Sequence, residues 1–173
     1  MIILGIDPGT ATTGYGIVQD KKTDGKKRSF KCITCGIIST KPTQSIPARL
    51  QIIQKELEKI IKQYQPEILV MERLFFFRNF KTVIGVSQAQ GIILLTAARK
   101  KVPIYQFTPL QVKMTITGYG RAEKKEVEAK VKKIFKIKIL PSKSDDAVDA
   151  LAIALTYHLK TDDKTIKALD KLS

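Results

Sequence analysis

The sequence has few of the residues that build nitrogen- and sulfur-ligated enzyme sites. Its 173 residues include one histidine, two cysteines and no tryptophan. This scarcity excludes HExxH zinc sites and metal clusters of cysteine and histidine, and it argues against most Ser-His-Asp triads. Any catalytic chemistry is therefore expected to depend on carboxylates.

The two cysteines form one CxxC motif, Cys32 and Cys35, without the second pair that a zinc site of this kind needs. They lie in a stretch, residues 30–38, that has the pattern of a strand. Alternation along a strand would place the two side chains on opposite faces of the sheet. We therefore interpret both thiols as structural rather than as a metal or redox site.

Negative charge is scarce as well. The chain has 31 Lys and Arg residues against 16 Asp and Glu residues, which gives a net charge of +15 and predicts a polyanionic partner. With 43% hydrophobic residues, the composition is that of a folded protein. We expect one domain over residues 1–160, followed by a polar C-terminal tail over residues 161–173.

No long apolar run of the membrane-spanning kind is present. Residues 82–98 carry no charge, but Ser87, Gln88 and Gln90 make the run too polar, and it is slightly too short for a membrane span. We interpret it as a buried helix or as a helix at a subunit interface. The chain starts without the basic segment and cleavage site of a signal peptide, so a cytoplasmic protein is expected.

Hydrophobic periodicity predicts a mixed α/β fold. Three strands come first, and helices then alternate with two more strands before the chain ends in helices. This order predicts a sheet of five strands, three antiparallel and then two parallel, with helices on both faces. The strands are predicted at residues 2–6, 14–18, 30–39, 68–71 and 103–107, and the helices after Ser45, over 82–98, from Pro109, over 122–135 and from near Ser144.

Acidic residues stand at positions where this fold would bring them together. Asp7 and Glu72 end two strands, and the crevice that binds ligands in such sheets lies beyond the carboxyl ends of the strands. Asp146 and Asp149 share a helix face because they are three residues apart, and Asp145, four residues from Asp149, shares nearly the same face. The sequence therefore predicts four carboxylates around one crevice.

Carboxylates this close repel one another unless a cation lies among them. Oxygen ligands alone favour a hard divalent ion, Mg²⁺ or Mn²⁺. Two such ions roughly 4 Å apart can hydrolyse a phosphodiester, as in many nucleases. Each acid taken alone could equally be an ordinary turn or capping residue.

Four motifs follow one another along residues 1–158, namely Ile3–Thr10 with Thr13–Gly16, Met71–Phe75, Gly118–Lys124 and Asp146–Ala152. In type and in order they resemble those of the RuvC family of Holliday-junction resolvases. The resemblance implies an RNase H-like fold, a homodimer, and Mg²⁺-dependent symmetrical nicking of four-way DNA junctions in recombination and repair. It also implies branch-migration motor proteins as candidate partners.

The resemblance also assigns roles to residues. The acidic tetrad of the family maps to Asp7, Glu72, Asp146 and Asp149. The doubled Asp145-Asp146 departs from the family pattern, and Asp146 is favoured as the ligand because that pattern is Asp-Ala-x-Asp.

Four residues are predicted to hold the nucleic acid. The resemblance assigns Phe75, the first of three successive phenylalanines, to stacking on an unpaired base, and an exposed ring can do this. Lys113 and Lys124 occupy positions that contact the DNA backbone near the cut in the family. Arg121, in the loop between them, is predicted to bind DNA as well.

Other functions remain open at this level. Asp7-Pro8-Gly9-Thr10 also resembles the phosphate loop of sugar kinases and actin-like ATPases, although those proteins need a second domain. A nuclease of this fold acting on another branched nucleic acid, or a noncatalytic nucleic-acid-binding relative, would share the same features. Paired nicks require two active sites, and residues 82–98 are the predicted dimer interface.

Overall fold

A computed structural model gives the fold of the chain. It describes residues 1–21, 29–73, 80–137 and 144–160, and of residues 21 and 80–82 it describes the backbone alone. Phe75 and the predicted tail at residues 161–173 lie outside the described residues.

The elements follow the predicted order. The second strand is longer than predicted, since it begins two residues earlier and ends three residues later. The helix expected from residue 122 begins at residue 124. The elements are β1 (Ile2–Asp7), β2 (Thr12–Lys21), β3 (Ser29–Ser39), α1 (Ile46–Tyr64), β4 (Ile68–Glu72), α2 (Phe80–Arg99), β5 (Ile104–Phe107), α3 (Pro109–Thr117), α4 (Lys124–Phe135) and α5 (Asp145–Lys160).

The sheet confirms the predicted topology. Its order is β3-β2-β1-β4-β5, with β3, β2 and β1 antiparallel and with β1, β4 and β5 parallel. Leu69, Val70 and Met71 of β4 have no exposed surface. A run that is apolar at every position is what a central strand covered on both faces requires.

Two layers of helices cover the sheet, as predicted. On one face α5, α3 and α4 pack over a core that includes Ile3 and Val70. On the other face α1 and α2 pack over a core that includes Leu4 and Leu69. Consecutive residues of the same strand thus belong to different cores.

Helix α2 is buried along one face only. Ala89, Ile93 and Ala97 have no exposed surface, whereas Ile84 and Leu95 are largely exposed. Among the described residues, no helix is long and apolar enough to cross a membrane.

The two cysteines correct one prediction. Val18 of β2 pairs with Cys32, but Ile17 pairs with Thr34, so that Ile33 is an extra residue in β3. This β-bulge shifts the alternation by one position and turns Cys32 and Cys35 to the same face. The prediction of opposite faces was therefore wrong, because it assumed an uninterrupted strand.

Both thiols belong to the core beneath α5, as their interpretation as structural residues requires. Cys35 is buried in that core, and Cys32 packs against it. The hydrogen bond to Cys35, together with burial, raises the pKa of the Cys32 thiol. The reactive thiolate form is therefore disfavoured.

Helix α5 lies unusually close to the sheet. A Cβ atom on Gly14 of β2 would lie 2.0 Å from the backbone oxygen of Asp146, and a Cβ on Gly5 of β1 would lie 2.0 Å from that of Ala150. The backbone of α5 can approach this closely only because these two strand positions have no side chain. The contact fixes the first turns of α5 beside the end of β1.

We predict that Gly14→Ala destabilises the protein by at least about 2 kcal/mol, because the methyl group must displace the first turn of α5 or strain β2. Urea unfolding monitored by circular dichroism measures the change. Lys31→Ala, at an exposed position of the neighbouring strand, serves as the control and should change stability by about 0.5 kcal/mol or less. Equal stability of the Gly14→Ala variant and wild type would contradict the close approach of α5.

Candidate active site

Two strand ends place the first two carboxylates. Strands β1 and β4 are parallel neighbours in which Ile6 pairs with Met71, so Asp7 and Glu72 follow at the same level of the sheet. The backbone of Glu72 is held by α2, because the side-chain amide of Gln90 donates a hydrogen bond to its carbonyl oxygen at 3.2 Å. Parallel pairing therefore brings together two acids that are distant in sequence.

The first turns of α5 bring the other carboxylates to the same place. Asp7, Asp146 and Asp149 each offer a carboxylate oxygen, and these oxygens lie within 4.8 Å of one another. Glu72 lines a pocket together with Asp7 and Asp149. The structure thus brings the four predicted acids together.

Asp145 and Asp146 differ in their surroundings. The side chain of Asp145 is 66% exposed and lies 3.8 Å from Lys124. Asp146 faces the cluster, and its Oδ2 accepts a hydrogen bond of 3.4 Å from the Ser144 hydroxyl. The structure therefore places Asp146, rather than Asp145, among the grouped carboxylates.

Crowding and burial change the acidity of the site. Burial and then the charges of Asp149, Glu72 and Asp146 raise the pKa of Asp7 to about 8. Burial and the charge of Asp149 raise the pKa of Glu72 to about 7, against the opposing charges of Lys113 and Lys124. Without a cation among them, the acids are therefore not all ionised at neutral pH.

Two lysines border the acids. Lys113 of α3 and Lys124 of α4 line the pocket of about 360 Å³ that contains Asp7, Glu72 and Asp149. Helix α3 is held in place by a capping box, in which the Thr108 hydroxyl accepts from the backbone N–H of Gln111 at 3.2 Å.

The Lys124 ammonium lies 2.8 Å from Asp149 Oδ2. Burial alone would lower the pKa of Lys124, but the hydrogen bond to Asp149 and the neighbouring negative charges raise it. Lys124 therefore stays charged beside the cluster. Burial raises the pKa of Asp149 even though this ion pair opposes it.

The structure places the remaining predicted residues less centrally. Arg121 is exposed in the turn before α4 and is not among the residues that line the pocket. Phe75 lies outside the described residues.

Sequence reasoning did not find Gln90 or the apolar pocket walls formed by Val112, Val127 and Ile153. Gln90 gives no signal before the fold is known, since its role depends on the packing of α2 against β4. The walls could have been found from the buried positions of α3, α4 and α5.

The donor set can be compared with what a metal ion needs. It consists of carboxylate oxygens that repel one another, which fits a hard divalent cation and not a soft one. Burial and then the neighbouring acids raise the pKa values of Asp7 and Glu72, although nearby lysines act to lower them. The cluster could therefore hold a metal ion.

Comparisons with known proteins agree with the geometry. A sequence model of the family described as "Crossover junction endodeoxyribonuclease RuvC" matches residues 3–157. The chain is 45% identical over 157 residues to the protein of that name from Fusobacterium nucleatum, covering 91% of this chain and 80% of that protein. It is 46% identical over 157 residues to the one from Syntrophomonas wolfei, covering 91% and 88%.

A solved structure matches as well. It is "T. thermophilus RuvC in complex with Holliday junction substrate", with a TM-score of 0.84 and 31% identity, covering 93% of this chain and 94% of that one. The family model, which matches residues 3–157, includes all four acids.

The raised pKa of Asp7 predicts a pH-dependent stability. Folded Asp7 keeps its proton up to about pH 8, whereas an unfolded aspartate loses it near 4. Between these values the folded state binds more protons, so the stability of metal-free protein should fall as pH rises. In EDTA, Asp7→Asn should be about as stable as wild type near pH 4 and increasingly more stable up to pH 8.5.

Thermal unfolding across this pH range measures the difference. Asp145→Asn is the matched control, because its side chain is largely exposed, and it should follow wild type at every pH. Parallel pH profiles for Asp7→Asn and wild type would show that Asp7 is ionised in the folded protein.

Proposed function

We propose that this chain, which belongs to the RuvC family of crossover junction endodeoxyribonucleases, cuts four-way DNA junctions with Mg²⁺ ions. The ions would be held by Asp7, Glu72, Asp146 and Asp149. The predicted resemblance is confirmed, and with it the RNase H-like fold. The observation that carries the proposal is the convergence of four carboxylates, from two strands and one helix, in a chain with a net charge of +15.

The four carboxylates would hold two Mg²⁺ ions. When bound, these ions activate a water molecule and stabilise the leaving oxygen of the phosphodiester. Asp7 is central among the acids, because the charges of all three others act on it. Mn²⁺, equally hard and suited to oxygen ligands, is the alternative ion.

The lysines act on the substrate phosphate. Lys113 and Lys124 line the pocket that contains the acids, so a phosphate entering this pocket meets two cations. Such cations offset the charge that develops on the phosphate during cleavage. The apolar walls of the pocket strengthen this attraction, since they lower the local dielectric constant.

Two further residues, Phe75 and Arg121, are expected to contact the DNA. Phe75 stacks on an unpaired base where the junction strands separate, and the exposed Arg121 contacts the backbone further from the cut. Partner motor proteins for branch migration and a cytoplasmic location also stay predictions.

The other functions considered from the sequence are less well supported. Membership of an endonuclease family, over residues 3–157, argues against a sugar kinase or an actin-like ATPase. A noncatalytic relative would carry four crowded acids without use for them, at a cost in stability. A nuclease on other branched DNA stays open and is distinguished by the substrates compared below.

We propose that the protein acts as a homodimer through α2. Between Ile84 and Ala98 the exposed residues of α2 recur at spacings of three and four and therefore form one stripe along the helix. Ile84 is 67% exposed and Leu95 is 53% exposed, which is unusual for large apolar side chains. A two-fold contact along this stripe buries the same residues of both subunits. The stripe consists of Ile84, Gln88, Gly91, Leu95 and Ala98.

We predict that Asp7→Asn and Glu72→Gln each lower junction cleavage at least about 100-fold, because each removes a charged oxygen ligand of Mg²⁺. A denaturing gel of a labelled mobile junction, with and without Mg²⁺, measures the rate. A replication fork and a linear duplex run alongside test whether four-way junctions are the preferred substrate.

Asp145→Asn is the matched control and should cut within about threefold of wild type, since it changes charge on the same helix outside the cluster. Cleavage that survives Asp7→Asn, or that proceeds equally well in EDTA, would contradict the proposed site. Equal cleavage of the duplex would contradict the proposed substrate.

The dimer gives a separate prediction. Leu95→Glu places a charge on the proposed contact and should shift the protein from dimer to monomer in sedimentation experiments at micromolar concentration. Leu110→Glu is the matched control, because Leu110 is 60% exposed on α3 and lies outside the stripe. Equal sedimentation of both variants and wild type would argue against the α2 interface.

A further inference from the structure

A second open volume begins on the other side of the acids. The lysine-lined pocket is flanked by α3, α4 and α5, which cover one face of the sheet. A groove of about 750 Å³ instead runs along residues 8–12, after β1, and between the starts of α1 and α2, which cover the other face. Asp7 lines both volumes. The acids therefore lie at a passage between two open regions.

Among the described residues that line the groove, Arg49 of α1 is the one cation. The Arg49 Nε–H donates a hydrogen bond to the Thr40 hydroxyl oxygen at 2.8 Å. The Thr40 hydroxyl in turn donates to the carbonyl oxygen of Thr10 at 2.6 Å. This chain of hydrogen bonds ties the guanidinium to the loop that follows Asp7.

Arg49 is charged but has no acidic partner in the described part of the chain, where every ion pair within 4.0 Å involves other residues. It is also half-buried, so its position is more restricted than that of a surface lysine. Because Nε is occupied by Thr40, the two terminal nitrogens remain available to an anion. A planar pair of N–H donors matches two oxygens of a phosphate.

Small residues line part of the groove. Gly9 and Ala11 follow Asp7 along it, and Gly85 of α2 also lines it. A Cβ on Gly85 would lie 3.1 Å from the Thr10 hydroxyl oxygen, so α2 and this loop approach each other closely. The part of the groove next to Asp7 is therefore formed by short side chains and by backbone.

We propose that Arg49 binds a backbone phosphate of the cut DNA strand, on the side of the scissile phosphate opposite to Lys113 and Lys124. This inference rests on the proposed function, because it requires that the strand pass over the acid cluster. A DNA strand carries a phosphate at every nucleotide, so a strand centred on the acids presents phosphates in both directions. The lysines meet those on one side, and Arg49 meets one on the other.

Arg49 is in this view a positioning residue. It contacts a phosphate that does not react, and contacts on both sides of the scissile bond restrict rotation and sliding of the strand. Such restriction contributes to the rate by holding the reacting phosphate in line with the attacking oxygen.

The test uses junctions with a single neutral methylphosphonate at each position within four nucleotides of the cut. Binding of wild type, Arg49→Ala and Arg49→Lys is measured with Ca²⁺ in place of Mg²⁺. We expect Arg49→Ala to bind the normal junction about 10-fold more weakly. We also expect one neutral position to weaken wild type by a similar factor while leaving Arg49→Ala almost unchanged.

The same scan with Lys113→Ala should find a second neutral position, one that weakens binding by wild type but not by this variant. The position found for Arg49 should lie on the other side of the cut from it. Arg49→Lys should recover part of the affinity, because it keeps the charge without the planar pair of donors. Lys55→Ala, an exposed lysine on α1 outside the groove, is the matched control and should bind as wild type does.

Several outcomes would overturn the inference. If neutral phosphates weaken wild type and Arg49→Ala equally at every position, Arg49 contacts no phosphate, whereas the proposed function stands as long as wild type cuts the junction. If wild type neither binds nor cuts it, the proposed function itself fails. Should Arg49→Ala unfold, Arg49→Gln, which can keep the hydrogen bond to Thr40 without the charge, takes its place in the same scan.

Discussion

The repulsion between four carboxylates is the constraint on which the rest of this structure depends. Asp7 and Glu72 are fixed by parallel strands, and Asp146 and Asp149 by a helix that rests directly on the strand backbone at Gly5 and Gly14. Separation would relieve the repulsion, but α5 cannot tilt away without exposing the buried alanines on its sheet-facing side. The core thus holds the acids closer together than their mutual repulsion favours, and a divalent cation bound among them would offset that repulsion.

Part of the excess positive charge of the chain lies beside this site, on Lys113 and Lys124. Lys124 already pairs with Asp149, and Lys113 lowers the pKa of Glu72, yet the pKa values of Asp7 and Glu72 remain raised. The two lysines therefore do not offset the combined effect of burial and of the neighbouring acids. Both lysines line the pocket, where they would also stabilise the negative charge of a bound phosphate.

The sequence predicted those parts of the molecule that follow from short-range patterns. Asp7 and Glu72 could be placed because each follows an apolar strand, and Asp146 and Asp149 because helical spacing puts them on one face. The start of α3 was visible in Thr108 and Pro109. Parallel pairing of β1 with β4 then brought the acids together as expected.

What could not be predicted depends on packing or on local irregularity. The bulge at Ile33 reverses the alternation that the cysteines were expected to follow, and no residue type marks it. The choice between Asp145 and Asp146 depends on the rotation of α5 against Gly14, which spacing alone leaves open. The proximity of Arg49 to the loop after β1 depends on Thr40, which lies at the end of another strand. The position of Ile84 also depends on packing, because Ile84 lines the groove that contains Arg49 and is the first residue of the exposed stripe of α2. If the stripe joins two subunits and the groove carries the strand, one side chain borders both, so pairing of the subunits and placement of the DNA depend on the same end of α2.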